Sequence, residues 1–162
     1  MSRKLLPVTT AAVAAAAVAL IAATAVGAAG ATQGARPAHA AKLSPVLIHE
    51  TFTPLPCSGK PGHRTTLEQE GCAEHQILRS DAQINSLAKS VFGLLHDDRA
   101  RRDFNAAQRA WLNYRKTDCL SMSDVFEGGT QAGVVDAQCV ASRNNQRVKD
   151  LRGFRRDLSA TG

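Results

Sequence analysis

The sequence predicts an all-α fold: a small antiparallel bundle of about three helices, with an extended N-terminal arm and two disulfides. Three observations carry this reading. Apolar residues recur at steps of three, four and seven along one long stretch and on single faces of two later ones, which is the period of a helix face. Four prolines crowd 41–66 and disfavour regular helix there. An even number of cysteines follows an apolar, Ala-rich start of the kind that directs export, and outside the cytoplasm cysteines pair.

Residues 1–40 read as a secretory signal peptide. Arg3 and Lys4 open the chain, 5–29 is almost wholly apolar, and Ala38-His39-Ala40 supplies the small-x-small pattern of a cleavage site after Ala40. The mature protein is therefore expected to be secreted, or held in the periplasm or cell envelope. The apolar run 11–29 is 19 residues, about what crosses a bilayer, so contact with a membrane is expected only if the segment stays uncleaved. The first cysteine is Cys57, too far on for a lipid-modified N-terminus. Cleavage removes Arg3, Lys4 and Arg36 and no acid, so 17 Lys and Arg then face 14 Asp and Glu, and the formal charge falls from +6 to +3. That weak basicity, with no cationic runs beyond Arg99-Arg101-Arg102 and Arg152-Arg155-Arg156, argues against nucleic acid as a partner.

The arm, 41–66, holds Pro45, Pro54, Pro56 and Pro61 with Gly59 and Gly62, and is expected to be a loop lying on the helices, pinned at Cys57 and mobile before it. Within it 46–52 alternates in the manner of a short extended stretch. The helical domain spans 67–158. Its first helix starts at an N-cap Thr65 or Thr66, with Glu68 or Gln69 completing a capping box, and runs to about Leu95 with Ile77, Ile84, Leu87, Val91 and Leu94 facing the core and a break expected near Gly71. His96-Asp97-Asp98 makes a turn. The second helix, 99–121, offers Phe104, Ala107, Trp111 and Tyr114 for burial; the connection at Glu127-Gly128-Gly129-Thr130 leads to a third, from 131 to 151 or beyond, offering Val135, Val140, Val148 and Leu151. Short connections make the bundle antiparallel.

Four cysteines allow three pairings. Cys57 with Cys72 and Cys119 with Cys139 is favoured, because each bridge closes a local loop; Cys72 with Cys119 and Cys57 with Cys139 stays open as the alternative that staples all three helices at one end.

No catalytic set assembles from the remaining residues, and a non-enzyme is expected. Cys57, His63, Cys72 and His75 fit no zinc spacing, and exported thiols oxidise, so no metal or other cofactor is expected. Glu68, Glu70, Glu74 and Asp81 sit near a helix start, where acids are favoured anyway, and His75 and Asp81 do not share a helix face. Ser121 and Ser123 lack a nucleophile elbow, and Gly128-Gly129 is too short to cradle a phosphate. The stripe Gln108, Trp111, Arg115, Cys119 lies along one helix face. Read structurally, Trp111 fills the space between helices, Gln108 and Arg115 bond carbonyls near Gly128-Gly129, and Arg115 needs a carboxylate such as Asp118, Asp124 or Asp136.

These residues carry a family resemblance. Cys72, Asp81, Asn85, the run 108–115 with Gln108, Trp111, Tyr114 and Arg115, then Cys119, Gly128-Gly129-Thr130, Cys139, Arg147 and Leu151 resemble the LprI-like lysozyme-inhibitor domains of exported bacterial proteins, over about 57–154. The resemblance implies a small disulfide-linked helical domain that binds a protein, a lysozyme or related muramidase, and inhibits it; the alternative is an envelope interaction module without inhibitory activity. Gln108, Trp111, Arg115, Gly128, Gly129 and Arg147 are read as family-motif positions with structural roles. Glu50, Glu68, Glu70 and Glu74 form an acidic set that could face a cationic partner.

Overall fold

The computed structural model describes residues 42–161, so the expected signal segment and its cleavage site lie outside the described residues. Three helices follow the arm: α1 (Thr66–Leu94), α2 (Asp98–Ser123) and α3 (Thr130–Thr161), with a 3₁₀ turn at Asp124–Phe126 before α3. Among the described residues there is no strand.

Local chemistry sets the helix ends. The Thr65 hydroxyl accepts from the Glu68 amide while the Glu68 carboxylate accepts from the Thr65 amide, the reciprocal pattern of a capping box. Asp97 caps α2 by accepting from the Ala100 amide at 3.1 Å.

α1 and α3 run parallel and share the most extensive contact, with α2 antiparallel to both. At one end Ala73, Ile77, Ala137 and Ala141 form a small cluster in which short side chains bring the two helices close. At the other, Ile84, Leu87, Val91, Phe92, Leu95, Phe104, Val148 and Leu151 make the main core. The periodic positions of α1 are buried as expected, apart from Leu94, which is half-buried beside Phe92 and Leu95. α2 differs from expectation. Ala107 and Tyr114 are exposed and Trp111 is half-buried, because the inward stripe of this helix is largely polar: Asn105, Gln108, Arg115 and Cys119, with Phe104. On α3, Val134, Ala137 and Ala141 are buried where Val135 and Val140 are only partly so.

The arm fills the groove between α1 and α2. Ile48 is buried in the main core, and Leu43 and Leu47 pack against it. Two asparagines take the place of a neighbouring strand. Asn85 accepts from the Ile48 amide at 2.8 Å and donates to the Ile48 carbonyl at 2.9 Å; Asn105 accepts from the Val46 amide at 2.9 Å and donates to the Ser44 carbonyl at 2.8 Å. Where mobility was expected before Cys57, the backbone at Ser44, Val46 and Ile48 is bonded to side chains of α1 and α2.

α1 is also unbroken at Gly71. A Cβ there would lie 2.5 Å from the Pro56 carbonyl oxygen and 2.6 Å from that of Leu55, so the glycine is where the arm crosses the helix rather than where the helix stops. Gly71→Ala is expected to destabilise by about 1–3 kcal/mol through this clash, although Ala elsewhere in a helix gains about 1 kcal/mol over Gly. Thermal melting checks it; a variant more stable than wild type would contradict the close approach.

Candidate functional site

Arg115 stands where the arm and all three helices meet. Its side chain is 4% exposed. Nη1 donates to Asp81 Oδ1 at 3.1 Å and to Asn144 Oδ1 at 2.9 Å, and Nη2 donates to Glu50 Oε2 at 2.8 Å. Asn144 Nδ2 in turn donates to Asp81 Oδ1 at 2.7 Å and to the Ser80 hydroxyl at 3.0 Å. Burial raises the Asp81 carboxyl above its ordinary value of 3.8, against the opposing pull of Arg115 and the Asn144 hydrogen bond.

A second guanidinium lies one layer along. Arg147 donates from Nε and Nη2 to the single Gln108 Oε1, at 3.1 and 2.7 Å. Burial lowers its pKa, with Asp150 acting the other way. Arg115 and Arg147 lie 5.3 and 5.5 Å from the centroid of the Trp111 ring, so the lone Trp has two cations against it as well as the apolar packing of the main core.

Two sequence expectations are corrected here. The partners of Arg115 are Asp81, Glu50 and Asn144, not Asp118, Asp124 or Asp136. Asp118 instead pairs with Arg143 at 2.8 Å, Asp124 is exposed in the 3₁₀ turn, and Asp136 is half-buried, its pKa raised by burial and only partly offset by Arg115. Neither Gln108 nor Arg115 bonds a carbonyl near Gly128-Gly129: Gln108 accepts from Arg147 on α3, and Arg115 donates to Asp81 on α1, Asn144 on α3 and Glu50 in the arm. Gly128 and Gly129 close the connection from α2 to α3, where Gly128 has φ 75° and the Gly129 amide donates to the Phe126 carbonyl at 2.9 Å.

Cys57 pairs with Cys72 and Cys119 with Cys139. These bridges remove the thiols from any metal site, including the cluster of Asp118 with Cys119 and Cys139. The acidic set is largely engaged within the fold. Glu50 bonds Arg115; Glu68 completes the cap and accepts from the Ser58 hydroxyl at 2.6 Å, which with the Thr65 bonds lowers its pKa; Glu74 accepts from the Leu55 amide at 2.6 Å; and Glu70 lies against Gly133. Asn105, Asn144 and Ser80 were not anticipated. The available signal was asparagine in mid-helix, a poor helix former that needs a bonding partner to justify its place.

Against known proteins, the described helical domain matches the family model for "Lysozyme inhibitor LprI" over residues 57–151, more than half of the chain. The chain belongs to the LprI lysozyme-inhibitor family. The matched span takes in both disulfides, Arg115 with its partners Asp81 and Asn144, and the Gly128-Gly129 turn; of the Arg115 network it leaves out only Glu50 in the arm. LprI is an inhibitor family rather than an enzyme family, in keeping with a protein partner. No curated protein and no solved structure matches the chain. Two disulfides suit an oxidising compartment, and no helix among the described residues is long and apolar enough to cross a membrane.

Proposed function

We propose that this protein, exported and cleaved after Ala40, binds a lysozyme or related muramidase and blocks its activity. The family match across the disulfide-linked bundle carries the reading. The build of the domain supports it. An inhibitor gains affinity when its binding surface is ordered before contact, and here two covalent bridges and a buried ionic network tie the arm and all three helices together. The acids Glu50, Glu68, Glu70 and Glu74 add negative charge to the arm and α1, suited to a cationic partner.

The test is a muramidase assay on purified, oxidised protein with lysozymes of several types. Inhibition at roughly micromolar protein is expected for at least one. Binding without loss of muramidase activity would replace inhibition by an interaction role in the envelope, and neither binding nor inhibition at that concentration would remove the reading.

A further inference from the structure

The connection between α2 and α3 exposes apolar side chains that the fold does not use. Val125 is 75% exposed and Phe126 42%, and Leu120 and Met122 at the end of α2 are 44% and 45% exposed. Turns of this length are ordinarily polar, and adjacent large apolar residues at a tip point to a contact made with something else.

The tip is also held in one shape. The Glu127 amide donates to the Asp124 carbonyl at 3.1 Å, the Gly129 amide to Phe126 at 2.9 Å and the Ala132 amide to Gly129 at 2.8 Å. Glu127 adopts a left-handed backbone, φ 50°, that side chains other than glycine rarely take, and such conformations persist where the surroundings enforce them. Immediately below, the Cys119–Cys139 bridge fastens the two helices that carry the tip. A projection ordered in this way loses little freedom on binding.

Its charge identifies the kind of partner. Between Cys119 and Cys139 the sequence holds Asp124, Glu127 and Asp136 and no Lys, Arg or His, in a chain that is basic overall. Asp124 and Glu127 flank Val125-Phe126 directly, both are exposed, and neither belongs to an ion pair within the described residues. Glu50, Glu68 and Glu74, by contrast, already bond the protein's own groups.

We propose that the tip Asp124-Val125-Phe126-Glu127 is the segment this protein inserts into an apolar-walled cleft on a cationic protein, its two carboxylates meeting basic groups at the rim. The proposal rests on the inhibitory reading above and names the surface that performs it. Val125 and Phe126 supply the desolvated contact, while Asp124 and Glu127 steer approach and fix register.

The experiment measures inhibition and binding of a cationic animal-type lysozyme by the oxidised full chain and two double variants, V125S/F126S and D124N/E127Q. The apolar variant is expected to lose roughly tenfold to a hundredfold in potency with an unchanged melting temperature, since both side chains are exposed. The charge variant is expected to lose less and to show a weaker dependence on salt. Should V125S/F126S fold poorly, the salt response of D124N/E127Q decides. Wild-type potency and salt dependence in the variants, with inhibition intact, would overturn the docking site alone. A wild-type chain that inhibits nothing would overturn the inhibitory reading, and this site with it.

Discussion

Arg115→Ala is expected to destabilise the domain by about 3–5 kcal/mol, the range for removing one partner of a buried ion pair. The cost comes mainly from what is left behind. Asp81, with a side chain 8% exposed, would lose its counter-charge, and the Asn144 oxygen its donor. Glu50, whose side chain is 67% exposed, would turn to water at small cost, so the loss falls on the α1 and α3 side of the network. For a domain of this size the melting temperature should fall by roughly 10–20 °C. A variant that melts within a few degrees of wild type yet no longer binds a partner would assign Arg115 to recognition instead.

The same experiment has a pH dependence with a definite sign. Asp81 already holds its proton more tightly in the folded state than its ordinary value of 3.8 implies, and removing Arg115 takes away the largest opposing pull. A carboxyl with a raised folded pKa carries no penalty well below its unfolded value, where both states are protonated; the penalty grows as pH rises through that value toward the folded one. The deficit of Arg115→Ala relative to wild type should therefore be smallest in acid, where Asp81 is protonated in both folded proteins, and widen as pH rises past the wild-type folded value, which itself lies above 3.8. Asp81→Asn keeps a hydrogen-bonding oxygen without the charge, and leaves Arg115 with Glu50 and Asn144, so it should cost much less than Arg115→Ala at neutral pH.

Helix positions and the apolar face of α1 were legible because periodicity is a local property. Ile77, Ile84, Leu87 and Val91 follow the 3.6 period over one long helix, and burial follows from it. α2 was legible as a helix but not in its orientation, since its inward stripe is polar and a hydrophobicity argument aims it wrongly. Asp118, Asp124 and Asp136 lie nearer to Arg115 in sequence, whereas the fold supplies Asp81 and Glu50, 34 and 65 residues away. Such contacts are set by helix register, to which no local pattern refers. The arm shows the same limit from another side: the alternation at 46–52 marked an extended chain correctly, but its hydrogen-bond partners are the side chains of Asn85 and Asn105 rather than another strand. At Gly71 a helix-interior glycine has the sequence look of a break, when the reason for it is the arm lying across the helix.

Reducing both disulfides is expected to bring the domain close to unfolding. The bridges link residues 15 and 20 apart, and loop closure of that size stabilises by about 3 kcal/mol each. Together that is a large part of the roughly 5–15 kcal/mol that ordinary domains possess. The two should not respond alike. Cys57 is exposed and Cys72 half-buried, so a mild thiol should open that bridge first, whereas Cys119 and Cys139 are both buried; alkylation followed by mass measurement reads the order. Opening Cys57–Cys72 leaves the arm held by Ile48, Asn85 and Asn105. Opening Cys119–Cys139 takes away the covalent link of α2, the helix whose inward face is polar and gains least from burial. The two loop lengths differ too little in closure entropy to separate the variants. A markedly lower melting temperature for C119S/C139S than for C57S/C72S would therefore measure how far α2 depends on its covalent tie, and equal losses would show that packing alone holds that helix in place.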